Sequence, residues 1–178
     1  MLCDHDDTLE PDALYEIVKA LNEHPEADAV YTDEDKVSMD GRHYFDPHFK
    51  SDFNLFRFRE NNYICHIFAV RKTVAEKAGL FRPEFDGAQD YDFIFRCCEA
   101  SRETVHIPKA LYHWRCHMES PAADPSSKAY AYEAGRRAVE EHYKRLEIPA
   151  EVELTERPGW YRSRVKIQGK PLISIIIP

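Results

Sequence analysis

The final eight residues, PLISIIIP at 171–178, constrain the fold more than any other stretch. A run this apolar and this rich in β-branched side chains suits a strand buried on both faces, as in a parallel sheet. Parallel neighbours need a crossover connection, usually a helix, so the chain is expected to be α/β. No helix follows the run, which makes it an unfinished unit. The chain therefore reads as a segment of a longer protein at both ends, with no internal repeat.

The preceding residues supply helices and strands in turn. Pro11 suits a first helical turn, and Leu14, Ile17, Val18 and Leu21 then mark one apolar face. Ala29–Tyr31 reads as a short buried strand that leads into an acidic loop, Thr32-Asp33-Glu34-Asp35. Asp40-Gly41 predicts a hairpin between 36–38 and 42–45, and 46–62 reads as a packed irregular loop. Ile64–Val70 is expected to be a strand, and Thr73–Ala78 a helix closed by Gly79. A helix is predicted over Gln89–Ala100, and a strand interrupted at Pro108 over Val105–Trp114. A long helix over Lys128–Leu146 places Tyr132, Gly135, Val139, Tyr143 and Leu146 on one face, with Gly135 marking a close contact. "TERPGWYRSRVKIQGK" reads as a polar connector.

At 178 residues, with 43% hydrophobic and 12% aromatic residues, the chain can build a core. A net charge of −8 argues against nucleic acid as a partner without excluding a nucleotide ligand. Five irregularly spaced cysteines read as reduced core thiols of a cytosolic domain. No apolar run is long enough to span a membrane.

Four groups of residues are candidates for chemistry. In "LCDHDDTLEP", Asp4 and Asp6 share a direction if the segment is extended. They could aim two carboxylates at one divalent cation, Mg²⁺ or Mn²⁺ by the hardness of the ligands. The competing reading is an acidic turn before the Pro11 helix. In "GAQDYDFIFR", Asp90 stands at a helix start, where it serves either as a general base or as a dipole partner. Asp92 reads as first-turn support, paired with Arg96 at i+4. In "LYHWRCH", His113, Arg115 and His117 share a strand face, suited to metal or phosphate or simply incidental. The acidic run at 32–35 reads as a solvated loop, and His5, His66 and His106 read as structural or exposed.

The order of these pieces is more specific than any one of them. "LCDHDDTLEPDALYEIVKAL", "NNYICHIFAVRK", "GLFRPEFDGAQDYDFIFR" and "IPKALYHWR", taken in sequence, resemble bacterial family-2 glycosyltransferases of the GT-A fold. The resemblance implies that Asp4 and Asp6 hold Mn²⁺ or Mg²⁺ on a nucleotide-diphospho-sugar donor, with His113 completing the site and His117 the second choice. It implies Asp90 as the base acting on a glycan acceptor and Arg115 beside the diphosphate. Gln89 stands where the family more often has Glu.

The implied organisation is a partial GT-A fold. Residues 1–118 would be its acceptor- and metal-side half, 119–170 a C-terminal helical extension and connector, and 171–178 the first strand of a following, tandem transferase domain. The implied reaction is inverting sugar transfer in the cytoplasm or at the inner face of the membrane, with the isolated chain inactive. The alternatives from other classes are a haloacid-dehalogenase-like phosphatase, since "DHDDTL" also fits that pattern, and a non-catalytic half-domain.

Overall fold

A computed structural model describes residues 1–116 and 129–176. His117, the Pro/Ser loop that follows it and the last two residues of the apolar tail lie outside the described residues.

The centre of the molecule is β2 (Ala27–Ser38), a twelve-residue strand. It pairs in parallel with β5 (Glu103–Cys116) and antiparallel with β3 (Tyr44–His48) and β4 (Phe68–Val70). A short β1 (Thr8–Leu9) closes the far edge, antiparallel to β5. The mixed sheet therefore runs β1-β5-β2-β3, with β4 also on β2.

Alternate residues of β2 feed two cores. Ala29 and Tyr31 join an aromatic core with α2 (Leu55–Glu60), α4 (Gln89–Ala100) and α5 (Ala129–Arg145). Val30 joins a smaller core under α1 (Ala13–Glu23). A short α3 (Lys72–Ala78) stops at Gly79, whose φ of 86° is left-handed.

The expected acidic loop at 32–35 is instead the buried middle of β2. Asp33 and Glu34 are 3% and 9% exposed. The run is compatible with burial because each carboxylate has its own cation or imidazole. Asp33 faces His106 Nε2 at 2.7 Å, and Asp35 faces His113 Nδ1 at 2.5 Å. Glu34 accepts from Lys50 Nζ at 2.9 Å and lies 3.2 Å from His48 Nδ1. Burial pushes the Glu34 carboxyl up, but His48 and Lys50 outweigh it and leave the group below its usual range. Burial also pulls Lys50 below the usual lysine range.

Other boundaries shift for similar reasons. α1 forms where expected, but it buries Ala13, Glu16, Ile17 and Ala20 and leaves Leu14 and Val18 exposed. Small alanines bring the helix onto the sheet, and Glu16 reaches Lys109 of β5 at 2.6 Å. Within 46–62 a helical turn forms, α2, capped by the Asn54 side chain accepting from the Arg57 N–H.

The expected strand over 64–70 is paired only at Phe68–Val70, because Lys50 Nζ takes the Ile64 and His66 carbonyls at 2.5 and 2.6 Å. The polar connector is the turn and second strand of a hairpin, β6 (Ala150–Leu154) against β7 (Tyr161–Val165), whose charged residues hide the two-residue alternation. Residues 171–176 form no strand, and Leu172 and Ile176 are 96% and 90% exposed. No described strand edge pairs with them.

The α4–α5 seam is polar at its centre. Asp92 is fully buried between Arg82 (2.5 Å) and Arg96 (2.8 Å), the latter being the expected i+4 pair. His142, also fully buried, accepts from Arg59 Nε at 3.0 Å through Nε2, so its proton is on Nδ1, which donates to Glu99 at 2.6 Å. Gly135 is required here: a Cβ at that position would lie 2.0 Å from the Tyr161 hydroxyl.

These buried charges can be tested at two places. Replacing Lys50 by Met leaves Glu34 buried without its main cation and orphans two carbonyls. The expected loss is about 3–5 kcal/mol in urea unfolding, and a loss under ~1 kcal/mol would contradict the arrangement.

The second place is His142, whose pKa is held below its ordinary value by burial, with Glu99 opposing and Arg59 adding to the depression. The unfolded chain binds that proton first, so stability is full above about pH 6.5 and falls as the pH drops below it. A glutamine side chain at this position can make both bonds without titrating. His142→Gln should therefore reduce the loss of thermal midpoint between neutral and mildly acid pH, and an unchanged acid slope would refute this role.

Candidate active site

The segment Asn61–Ile67 runs across one end of the sheet, pinned from beneath by the buried Lys50 ammonium. It faces the first turn of α4, which carries Gln89 and Asp90, and the N-terminal acidic loop. Between them lies a cleft of about 470 Å³, lined by Asp4, Asn61, Asn62, Cys65, His66, Gln89, Asp90 and Trp114, among others. α5 and the β6–β7 hairpin supply its remaining wall through Tyr132, Gly159 and Tyr161.

Asp90 is half-buried at the start of α4. Its Oδ2 accepts from Asn62 Nδ2 at 2.8 Å, with the Cys65 thiol 3.9 Å away. No hydrogen bond among the described residues engages Oδ1. Burial and the Asp90 charge push the Cys65 thiol well above its ordinary pKa. The same two causes raise the Tyr161 hydroxyl. Both groups therefore stay neutral.

The acidic loop divides its labour. Asp7 is structural, its carboxylate accepting from the Tyr112 hydroxyl and, at 2.7 Å, from the Arg115 backbone N–H. The Tyr112 hydroxyl also accepts from the Asp4 N–H at 3.0 Å, which fixes the loop over β5. Asp4 projects an exposed carboxylate into the cleft, with Oδ2 3.6 Å from His66 Nε2. The Asp6 carboxylate is half-exposed beside His5 and is not among the cleft-lining residues.

The structure thus brings Asp4 and Asp90 into one cleft and places the other expected residues elsewhere. His113 is not with Asp4 and Asp6: it is buried between Asp35 and Glu10 (3.3 Å) under Tyr44. Side chains alternate along β5, so Trp114 takes the cleft and His113 turns away. The Arg115 guanidinium donates to the backbone carbonyls of Asp6 and Met39 at 2.7 and 2.9 Å, fastening the acidic loop instead of facing the cleft.

His66, expected to be structural or exposed, is the imidazole beside Asp4. It packs against Tyr112 and Trp114, and its Nδ1 is buried without a hydrogen bond among the described residues. No sequence motif marks it.

No group of three His, Cys, Asp or Glu residues that could hold a metal ion occurs among the described residues. A single exposed carboxylate such as Asp4 still suits a cation that arrives with a diphosphate, since Mg²⁺ commonly takes one or two protein carboxylates plus phosphate oxygens and water. No helix among the described residues is long and apolar enough to cross a membrane.

No protein-family model matches the chain. The chain is 46% identical, over 99% of its length, to an uncharacterized protein, y4gI, of Sinorhizobium fredii, of which it covers 20%. It is 38% identical, over 97% of its length, to the O-antigen biosynthesis protein RfbC of Myxococcus xanthus, of which it covers 13%. The chain thus spans a fifth or less of the length of these relatives. Among solved structures it superposes on residues 1–349 of Staphylococcus aureus TarS with a TM-score of 0.50 at 18% identity, covering 76% of this chain and 38% of that one. Over that share of its length the chain has a fold in common with part of TarS.

Proposed function

We propose that this chain is the acceptor-side part of a family-2 glycosyltransferase of the GT-A type, transferring a sugar from a nucleotide-diphospho-sugar to a glycan acceptor with inversion. The observation that carries the proposal is the shared cleft of Asp4 and Asp90, with Asp90 oriented through one carboxylate oxygen by Asn62. The name of the relative RfbC, an O-antigen biosynthesis protein, and the fold shared with TarS agree with sugar transfer in polysaccharide assembly.

On this reading Asp90 takes the proton of an acceptor hydroxyl as that oxygen attacks the anomeric carbon. The new C–O bond forms on the face opposite the breaking one, and the nucleoside diphosphate leaves with the electron pair. Asp4 would hold the divalent ion, whose chemistry when bound is to neutralise charge on the diphosphate. His66 stands beside the Asp4 carboxylate, its Nε2 3.6 Å from Asp4 Oδ2. Asn62 keeps Asp90 aimed, and the neutral Cys65 thiol adds no competing charge.

The test is transfer assayed with the chain in its natural full-length form. Asp90→Asn keeps the Asn62 contact possible but removes the base, and should lower kcat by roughly 10²–10⁴-fold with little change in KM. Full activity in this variant would end the assignment of Asp90.

A further inference from the structure

No lysine or arginine lines the cleft among the described residues. Its carboxylates are Asp4, which stands beside the His66 imidazole and is given to the divalent ion on the reading above, and Asp90. Around them stand aromatic rings, Trp114, Tyr132 and Phe81, and amides, Asn61 and Gln89. Aromatic faces pack against the apolar C–H faces of a sugar ring, while amides donate to and accept from its hydroxyls. An acceptor phosphate or carboxylate seated at the Asp90 end of the cleft would meet a like charge with no lysine or arginine beside it.

One wall of this cleft comes from the C-terminal extension, and it is keyed into place. Asn61 Nδ2 donates to the Gly159 carbonyl at 3.0 Å, tying the hairpin to the segment that holds Asn62. Gly87, just before α4, lies so near α5 that a Cβ would approach the Ala131 Cβ to 2.7 Å. Gly135 of α5 receives the Tyr161 hydroxyl, which fixes β7 against the helix. The extension is therefore packed directly into the cleft wall, with Tyr132 half-buried at its edge.

We infer that the α5–hairpin wall, with Tyr132, Trp114 and the amides of Asn61 and Gln89, is a subsite for an uncharged, hydroxyl-rich sugar of the acceptor and selects against anionic acceptors. The inference rests on the transferase reading above and names the acceptor class for it. Tyr132 contributes its ring face, and Asp90 disfavours acidic sugars.

The experiment is protein-observed NMR on residues 1–178 with methyl glucoside, galactoside, mannoside and rhamnoside as uncharged probes, and galacturonate and glucose 6-phosphate as anionic ones, at matched ionic strength. At least one uncharged glycoside should shift the Trp114 indole and the Gln89 and Gly159 amides, and the anions should not. Tyr132→Ala should weaken that binding roughly three- to tenfold with the thermal midpoint little changed, and Tyr132→Phe should restore it. Anions that shift the same signals equally, or no glycoside shifting any of them, would overturn the subsite. Asp90→Asn separates the two proposals. Glycoside binding that persists while the variant still transfers sugar ends the base assignment and spares the subsite. Absent binding alongside lost transfer does the reverse.

Discussion

The buried Lys50 ammonium is the interaction on which the rest of the structure depends. It is one cation serving three acceptors: the Glu34 carboxylate of the central strand and two carbonyls of the 64–66 segment. In a low-dielectric interior each of these acceptors would be costly alone. Together they let an acidic strand pass through the middle of the sheet and hold the backbone that presents Asn62, Cys65 and His66. The aim of Asp90 through Asn62 is thus decided one layer below the cleft, by a residue that does not line it.

Much of the fold was legible because local patterns and tertiary packing agree. The Gln89–Ala100 helix, the Asp92–Arg96 pair, the Gly79 stop and the tight contact at Gly135 are all written in residue type and spacing. What could not be read was set by partners distant in sequence. The run Thr32-Asp33-Glu34-Asp35 has the composition of a loop. It is a core strand because His106, His113 and Lys50 arrive from elsewhere in the chain. The apolar stripe of α1 misleads for the opposite reason: alanines and a Glu16–Lys109 pair dock the helix, while Leu14 and Val18 stay outside.

The candidate site was legible in part for the same reason. Asp4 and Asp90 lie in short acidic motifs at the starts of elements, where exposed function commonly sits, and the cleft holds both. His66 carries no motif, and only the fold brings it to Asp4. Arg115 looks like a phosphate-binding group in sequence, yet it is consumed in fastening the acidic loop to the β2–β3 turn, as the neighbouring Asp7 is in fastening that loop to β5. A charged side chain next to a candidate ligand motif is as often the frame of the site as its content.

The irregularity in β5 has a consequence for how such chains are compared. β5 advances from Ile107 to Tyr112 while its parallel neighbour advances only from Thr32 to Glu34. The surplus residues, clustered at Pro108, are odd in number, so the two ends of the strand obey opposite parity. That parity decides that an indole, and not an imidazole, meets the cleft. A single-residue gap placed between Ile107 and Tyr112 in an alignment would thus exchange Trp114 with His113 in register, and with them the chemical character of the pocket.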